Sequence, residues 1–206
     1  MAYFPMFVDI SKKPCLIVGG GKVAFRKVAA LFDFGAKITV ISPKIIEDIK
    51  EVSGVTCIER EFQESDIKGQ KIVVAATDSR DENCKISEIC KQMGIMVNVV
   101  DQLEDCSFIF PAYLKQRDVV AAFTSSGKSP VISQYMKLQN DKTMTPFLGE
   151  VNEFFGMIRK DVIEQVPDED KRKLVYEDLL EATLILNKLP TMEQVEGVIA
   201  HILSKE

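Results

Sequence analysis

Residues 15–24 of this 206-residue chain are Cys-Leu-Ile-Val-Gly-Gly-Gly-Lys-Val-Ala, four apolar residues that lead directly into a Gly-x-Gly-x-x-Ala pattern. In a strand–turn–helix unit, the first glycine of this pattern permits a tight turn, and the second lets a pyrophosphate approach the backbone. The N–H groups at the start of the following helix then face the phosphates, whose charge the helix dipole favours. The predicted cofactor-binding residues of this stretch are Gly19, Gly20, Gly21, Lys22, Val23 and Ala24.

The residues that follow predict the rest of a βαβ unit. Apolar side chains recur there at helical spacing and form a single stripe: Ala24, Val28, Leu31 and Phe32. Gly35 is suited to end that helix in a left-handed conformation, and the β-branched run 38–41 is typical of a strand buried in a parallel sheet. A structural turn without a ligand is the alternative interpretation, but the complete unit favours a dinucleotide site.

The end of this second strand departs from the usual dinucleotide pattern. Such folds commonly place Asp or Glu there to hold the ribose hydroxyls, whereas this chain has Ser42-Pro43-Lys44. We include Ser42 and Pro43 in the predicted cofactor site because the Ser42 hydroxyl can still bond a ribose. Lys44 can meet the extra phosphate of NADP, so the pattern predicts a nicotinamide dinucleotide and leaves the choice between NAD and NADP open.

Composition and charge exclude several classes of protein. Apolar residues make up 46% and charged residues 28%, which is typical of a folded globular chain. No apolar run approaches the roughly 18 residues that a membrane span needs, and the first ten residues lack the basic start of a signal peptide. The net charge of −5 and the absence of a Lys/Arg cluster disfavour nucleic acid. We therefore expect a cytoplasmic protein with neither a membrane nor a nucleic-acid partner.

The spacing of the cysteines and the position of the one histidine predict no metal site. The cysteines lack paired C-x-x-C spacing, and Cys15, Cys57 and Cys90 fall in apolar periodic segments, where a reduced thiol acts as a small hydrophobe. His201, the only histidine, lies in a predicted C-terminal helix, where packing is its expected role.

Strands and helices alternate through the first half, which predicts an α/β fold with a Rossmann-type, mostly parallel sheet covered on both faces. Further strands are predicted at 55–58, 71–76 and 96–100, together with a helix bearing Ile86, Ile89, Cys90 and Met93. Ligands of such folds lie beyond the carboxyl ends of the strands. Thr77, Asp78 and Asp101 follow strand ends, and we place Thr77 and Asp78 in the predicted cofactor site.

The second half has a different character. Residues 107–111 and 118–123 predict two strands around a polar turn, followed by the hydroxyl-rich loop 124–130. Within that loop, Ser129-Pro130 is a suitable N-cap and first position for a helix to about Gln139.

The remainder is helical in period. Apolar residues predict two long helices: Val151, Phe154, Phe155, Ile158, Val162 and Ile163 in the first, and Leu174, Leu179, Leu180, Leu184 and Leu186 in the second. Pro167 separates them, and a capping box at Thr191 and Gln194 opens the last helix.

Four segments in this order resemble one family, the precorrin-2 dehydrogenase/sirohydrochlorin ferrochelatase proteins, which include the N-terminal part of siroheme synthase. The segments are residues 15–27, 75–78, 98–101 and 107–111, and the loop 125–130 follows them. The resemblance is close over residues 1–135 and loose over the helical remainder. It implies NAD-dependent oxidation of precorrin-2 to sirohydrochlorin, with insertion of ferrous iron as a second activity in some members.

The same resemblance implies a domain organisation and a substrate site. It implies a Rossmann domain over residues 1–112, a dimerisation segment over 113–142, a helical domain over 143–206, and a homodimer. Asp101 matches the family's aspartate implicated in dehydrogenation and chelation, and Ser125 matches a serine that is phosphorylated in some relatives. The residues it implies for binding the tetrapyrrole are Asn98, Ser107, Phe108, Ser125, Ser126 and Lys128.

The chemistry points to a carboxylate independently of the resemblance. Oxidising a reduced tetrapyrrole needs a hydride acceptor, which the nicotinamide supplies, and a proton acceptor. With no histidine nearby in sequence, the candidate base is Asp101 at a strand end, with Asp105 as a rival. Relatives often carry arginines on the helix after the Ser-Pro pair, whereas residues 131–137 hold one basic residue, Lys137. Two alternatives stay open: an NAD(P)-dependent reductase of a smaller metabolite, and a non-enzymatic dinucleotide-sensing module.

Overall fold

The computed structural model describes residues 3–205, whose centre is a five-stranded parallel sheet. The strands are β1 (Pro14–Val18), β2 (Lys37–Ile41), β3 (Thr56–Ile58), β4 (Ile72–Ala75) and β5 (Met96–Val99). Their order is β3-β2-β1-β4-β5, and every neighbouring pair is parallel. This arrangement confirms the predicted Rossmann-type α/β fold. In that fold β1 lies at the centre, β2 and β3 follow on one side of it, and β4 and β5 follow on the other.

Both faces of the sheet carry an apolar layer. The helices in this part of the chain are α1 (Lys22–Phe32), α2 (Glu47–Lys50) and α3 (Arg80–Gln92). Successive side chains of a strand point to opposite faces, so Cys15 and Ile17 pack in the layer that α1 covers. Leu16 and Val18 pack in the layer that α3 covers. The predicted burial of Cys15 and Cys90 is confirmed, whereas Cys57 is half-buried.

Two residues that were predicted to lie on the buried stripes of these helices are exposed. Phe32 and Met93 are about half exposed, with exposed fractions of 49% and 48%. Phe32 is the last residue of α1 and Met93 is the residue that caps α3, so neither helix continues to press them against the sheet. The predicted left-handed conformation of Gly35 is confirmed by its φ of +71°.

The strand predicted at residues 107–111 is also wrong. The two strands that follow the sheet are β6 (Ala112–Gln116) and β7 (Val119–Phe123), which pair as an antiparallel hairpin. The Ser107 backbone N–H donates to the Val97 carbonyl oxygen at 2.9 Å, so the start of the 107–111 segment is tied to β5 rather than to a partner strand. Pro111 has no N–H to give to a ladder.

Four helices complete the chain, and the last three of them enclose a second core. The four are α4 (Pro130–Asp141), α5 (Pro146–Gln165), α6 (Glu169–Leu186) and α7 (Met192–Ser204). The buried residues of this core come from the last three helices and from the residue after α5: Ile158, Val162, Val166, Val175, Leu179, Val195, Ile199 and Ile202. The capping box predicted at Thr191 and Gln194 is confirmed, with both of its hydrogen bonds formed.

Several apolar residues expected in this core are exposed instead. They are Ile163, Leu174, Leu184 and Leu186. In α6 the buried face is Val175, Leu179 and Thr183, a spacing of four residues that leaves the intervening leucines on other faces. His201 is exposed on α7, so the expected packing role of its side chain is wrong.

The chain divides into two compact units. The first extends through Phe110 and takes in Ser126–Lys128, and the second contains Pro111–Ser125 and the residues from Ser129 onward. The three-part division at residues 112 and 142 stays a prediction. Among residues 3–205, no helix is both long and apolar enough to cross a membrane.

Candidate functional site

The glycine loop between β1 and α1 contains two glycines that the fold requires and one that it does not. A Cβ on Gly19, whose φ is +117°, would lie 2.2 Å from the Ala76 carbonyl oxygen, and a Cβ on Gly20 would lie 2.2 Å from that of Lys44. Gly21 has a φ of −91°, and a Cβ there would meet nothing within 4 Å. The open space beside Gly21 therefore has no structural cause in the chain itself, and it is where the predicted pyrophosphate needs room.

The start of α1 has the features of an anion-binding helix N-terminus. Gly21 is its N-cap and supplies no side-chain cap, and the first turn has no acidic residue that would compete with a phosphate. Lys22 is exposed and Val23 half-buried, while Ala24 is fully buried against the sheet. The predicted residues of this stretch thus lie together, and they fit a dinucleotide phosphate.

The loop after β2 packs against the same glycines. The Ile46 N–H donates to the Gly20 carbonyl oxygen at 3.0 Å, and the Ser42 N–H donates to the Ile58 carbonyl oxygen at 3.3 Å. Ser42 is half-buried, whereas Pro43 and Lys44 are exposed. Ser42 is consequently held at the carboxyl edge of the sheet, beside the glycine loop.

An acidic residue that the sequence analysis missed stands next to Ser42. Glu59 follows β3, and the pairing of Ile41 with Ile58 places it beside the end of β2. Its Oε1 accepts a hydrogen bond from the Ile45 N–H at 3.5 Å and forms an ion pair with Lys50 Nζ at 3.1 Å. The Lys50 ammonium lowers the pKa of the Glu59 carboxyl below its ordinary value, so Glu59 is anionic at neutral pH. The only signal in the sequence was an acid at the end of a short predicted strand.

The loop after β4 is held by a buried asparagine, which the sequence analysis also missed. Asn83 Oδ1 accepts from Thr77 Oγ1 at 2.8 Å and from the Thr77 N–H at 3.2 Å. Asn83 Nδ2 donates to the Thr77 carbonyl oxygen at 3.0 Å. Thr77 is therefore fixed beside Ala76, which touches Gly19, whereas Asp78 is exposed and lies outside this network. Asn83 could have been found from its spacing to Ile86 and Cys90 on the buried face of α3.

Asp101 lies in a turn just beyond β5 and has an unusual backbone. Its φ is +60°, a left-handed conformation that costs most residues other than glycine about 1–2 kcal/mol and costs aspartate or asparagine less. Its side chain is exposed and makes no hydrogen bond or ion pair with another of residues 3–205.

The rival carboxylate, Asp105, is already engaged. Its Oδ2 lies 3.3 Å from Cys84 Sγ, and its Oδ1 lies 4.0 Å from Lys91 Nζ. Of the two carboxylates, that of Asp101 is the one without a hydrogen bond or ion pair among residues 3–205.

A cationic side chain stands in the same unit as Asp101. Lys27 Nζ lies 4.1 Å from the centre of the Phe110 ring, which packs against Phe108 at 5.2 Å between ring centres. Burial lowers the pKa of the Lys27 ammonium, while the charge of Asp101 acts in the opposite direction. Lys27 thus places a half-buried ammonium over the face of the Phe110 ring.

The predicted substrate residues around Phe108 make hydrogen bonds within the protein. Asn98 is buried, and its Nδ2 donates to the Phe108 carbonyl oxygen at 3.1 Å. Ser107 Oγ accepts from the Val97 N–H at 2.8 Å. These polar groups hold the 107–111 segment against β5, and their contact with a substrate stays a prediction.

The serine loop is divided between the two units. Ser125 belongs to the second, where its Oγ donates to the Ser129 carbonyl oxygen at 2.8 Å and accepts from the Ser129 N–H at 2.9 Å. Ser129 is the N-cap of α4 as predicted, but its side chain makes no cap. Ser126 and Lys128 belong to the first unit, where a Cβ on Gly127 would lie 2.7 Å from Leu103 Cδ2. Residues 3–205 contain no group of three or more His, Cys, Asp or Glu side chains that could hold a metal ion.

Comparison with known proteins identifies a family and several related chains. A family described as putative NAD(P)-binding matches residues 6–112. The siroheme synthase of Ruthia magnifica subsp. Calyptogena magnifica is 34% identical over 180 residues, which cover 86% of this chain and 38% of that protein. The siroheme synthase of Thioalkalivibrio sulfidiphilus is 34% identical over 184 residues, covering 88% and 38%. The chain therefore spans about two fifths of the length of these relatives.

A solved structure supports the fold over nearly the whole chain. It is that of "SirC, precorrin-2 dehydrogenase", with a TM-score of 0.68 and 18% identity, covering 97% of this chain and 98% of that one. At this level of identity the likeness concerns the fold alone.

Proposed function

This chain belongs to the putative NAD(P)-binding family, and we propose that it catalyses the NAD-dependent dehydrogenation of precorrin-2 to sirohydrochlorin. The family agrees with the predicted dinucleotide cofactor. The observation that carries the proposal is the presence, at one edge of one parallel sheet, of the anion-binding glycine loop and the unpaired Asp101 carboxylate. Its relationship to siroheme synthases supports the choice of substrate.

The residues have distinct proposed roles at the cofactor. When bound, the nicotinamide dinucleotide supplies the hydride acceptor. The backbone of Gly19–Gly21 and the start of α1 bind its pyrophosphate, and Ser42 bonds the adenosine ribose. Lys50 pairs with both Glu59 and Glu47, so this group keeps a net negative charge near Ser42, which disfavours the extra phosphate of NADP and supports NAD as the cofactor.

The proposed substrate is a tetrapyrrole with many carboxylates. Lys27, with its ammonium over the Phe110 ring, offers both a positive charge and an aromatic surface to such a molecule. Lys128 is an exposed cation of the same unit. Asp101 accepts the proton that leaves the ring system, and the same carboxylate can accept pyrrole N–H protons if ferrous iron is inserted as a second substrate.

The test is an anaerobic incubation of the purified chain with precorrin-2 and NAD. We expect the absorption of sirohydrochlorin and that of NADH to rise together, and a parallel sample with ferrous iron reports insertion by its sirohaem spectrum. Tight NAD binding without turnover would instead support a dinucleotide-sensing module. Reduction of a smaller metabolite with NADH or NADPH would support a reductase.

We further propose that the chain forms a homodimer whose interface includes residues 113–139. Helix α4 has no buried residue in one chain, and Val131, Ile132 and Leu138 are 75%, 54% and 65% exposed. A row of apolar side chains on one helix is stable in water when a partner surface covers it.

The dimer is tested by light scattering at micromolar concentration, where we expect twice the mass of one chain. Leu138→Glu should shift the mass towards one chain, because it places a charge in the proposed interface. Met157→Glu is the matched control, since Met157 is 70% exposed on α5 and lies outside the proposed interface. A wild-type protein that stays monomeric would contradict the proposal.

A further inference from the structure

The turn that carries Asp101 is held at both ends by one thiol. Cys106 Sγ lies 3.1 Å from the Val99 nitrogen and 3.2 Å from the Val99 carbonyl oxygen. The same sulfur lies 3.3 Å from the carbonyl oxygen of Gln102. Val99 and Gln102 flank the two residues at the tip of the turn, Val100 and Asp101. One side chain therefore fixes the separation of the two ends of the turn.

The thiol is well suited to this task. Cys106 is 8% exposed, and burial raises the pKa of its thiol above the ordinary value. The S–H form therefore persists at neutral pH, so the sulfur accepts from the Val99 N–H and donates to one of the two carbonyl oxygens. Asn98 Nδ2, at 3.5 Å from the sulfur, is a further donor. A network of this kind gains strength from its shielding from water.

Asp101 depends on such support. Aspartate tolerates a left-handed conformation better than most residues, but its backbone keeps one conformation only where the surrounding structure fixes the turn. The Asp101 carboxylate makes no hydrogen bond or ion pair of its own among residues 3–205, so its position depends on the backbone of the turn that carries it. We infer that Cys106 is a positioning residue that holds the Asp101 turn, and with it the carboxylate, in the orientation used for proton transfer. This inference rests on the proposed role of Asp101 in dehydrogenation.

The experiment compares Cys106→Ala and Cys106→Ser with Cys90→Ala as a matched control. Cys90 is a buried thiol of the same apolar layer, and it lies on α3 rather than in the turn. For each variant we would measure the melting temperature, NAD affinity, kcat and KM for precorrin-2, the pH dependence of kcat, and backbone hydrogen exchange.

We expect Cys106→Ala to speed exchange at residues 99–106 and to lower kcat by roughly 10-fold, since a misplacement of about 1 Å can cost up to 10²-fold. The pH profile of kcat should shift because the environment of the carboxylate changes, while NAD affinity stays the same. Serine, whose hydroxyl can make the same bonds, should restore most of kcat. Cys90→Ala should lower the melting temperature and leave kcat and the exchange of the turn unchanged.

Two outcomes would overturn the inference. One is a Cys106→Ala variant with wild-type exchange in the turn, and the other is an active variant whose kcat and pH profile match the wild type. If the wild-type protein converts no precorrin-2, the proposed function fails, and hydrogen exchange alone decides whether Cys106 holds the turn.

Discussion

Replacing Gly21 with aspartate should abolish dinucleotide binding and leave the fold intact. The backbone of Gly21 has an ordinary φ of −91°, and the space beside it is open, so a side chain is accommodated without strain. Gly21 is also the N-cap of α1, a position at which aspartate is among the preferred residues. The melting temperature should therefore stay the same or rise slightly.

The loss of binding follows from the same geometry. The new carboxylate would accept the N–H groups at the start of α1 that the phosphates need, and it would repel them by charge. Two like charges about 4 Å apart cost about 4 kcal/mol at a surface dielectric of about 20. We therefore expect the Kd for NAD to rise by roughly 10³-fold, measured by isothermal titration calorimetry.

Two further substitutions, one at Gly21 itself and one at Gly20, serve as controls. Gly21→Ala adds a methyl group without charge and should weaken binding less than aspartate does, which separates crowding from repulsion. Gly20→Ala should instead lower the melting temperature, because its Cβ would lie 2.2 Å from the Lys44 carbonyl oxygen. Unchanged NAD affinity in a folded Gly21→Asp protein would remove the glycine loop from the cofactor site.

Features that depend on local chemistry were predictable from the sequence. The glycine turn after β1, the left-handed Gly35 and the capping box at Thr191 are all formed as expected. Each of these depends on residues within one turn of the chain, where the requirements of the backbone select particular side chains.

Features that depend on distant neighbours were not predictable. Glu59 stands beside Ser42 because β3 pairs with β2, and a single strand carries no signal of its partner. The 107–111 segment has the composition of a strand, but a hydrogen bond from Ser107 attaches it to β5. The antiparallel pairing of β6 with β7 begins only at Ala112, the residue after Pro111. The inferred role of Cys106 could not be predicted either, because it depends on the fold bringing the Cys106 sulfur next to the backbone of Val99 and Gln102.

Replacing Asp101 with asparagine or alanine should lower dehydrogenase turnover by roughly 10²-fold or more. General-base assistance is typically worth about 10²–10⁴ in rate, and neither replacement can accept a proton in this way. NAD affinity should be nearly unchanged, because Asp101 follows β5 whereas the glycine loop follows β1. Any insertion of ferrous iron should decline together with dehydrogenation if the same carboxylate serves both.

The two replacements differ in their effect on stability, and that difference makes the test decisive. At a φ of +60°, asparagine is tolerated far better than alanine, so Asp101→Asn should keep the wild-type melting temperature while Asp101→Ala lowers it. A purely structural aspartate would give the opposite pattern of activity: Asp101→Asn would be fully active, and Asp101→Ala would be active in proportion to its folded fraction. Turnover, NAD affinity and melting temperature measured on the same preparations separate the two cases. Full activity in Asp101→Asn would sink the catalytic assignment and direct attention to Asp105 and Ser125.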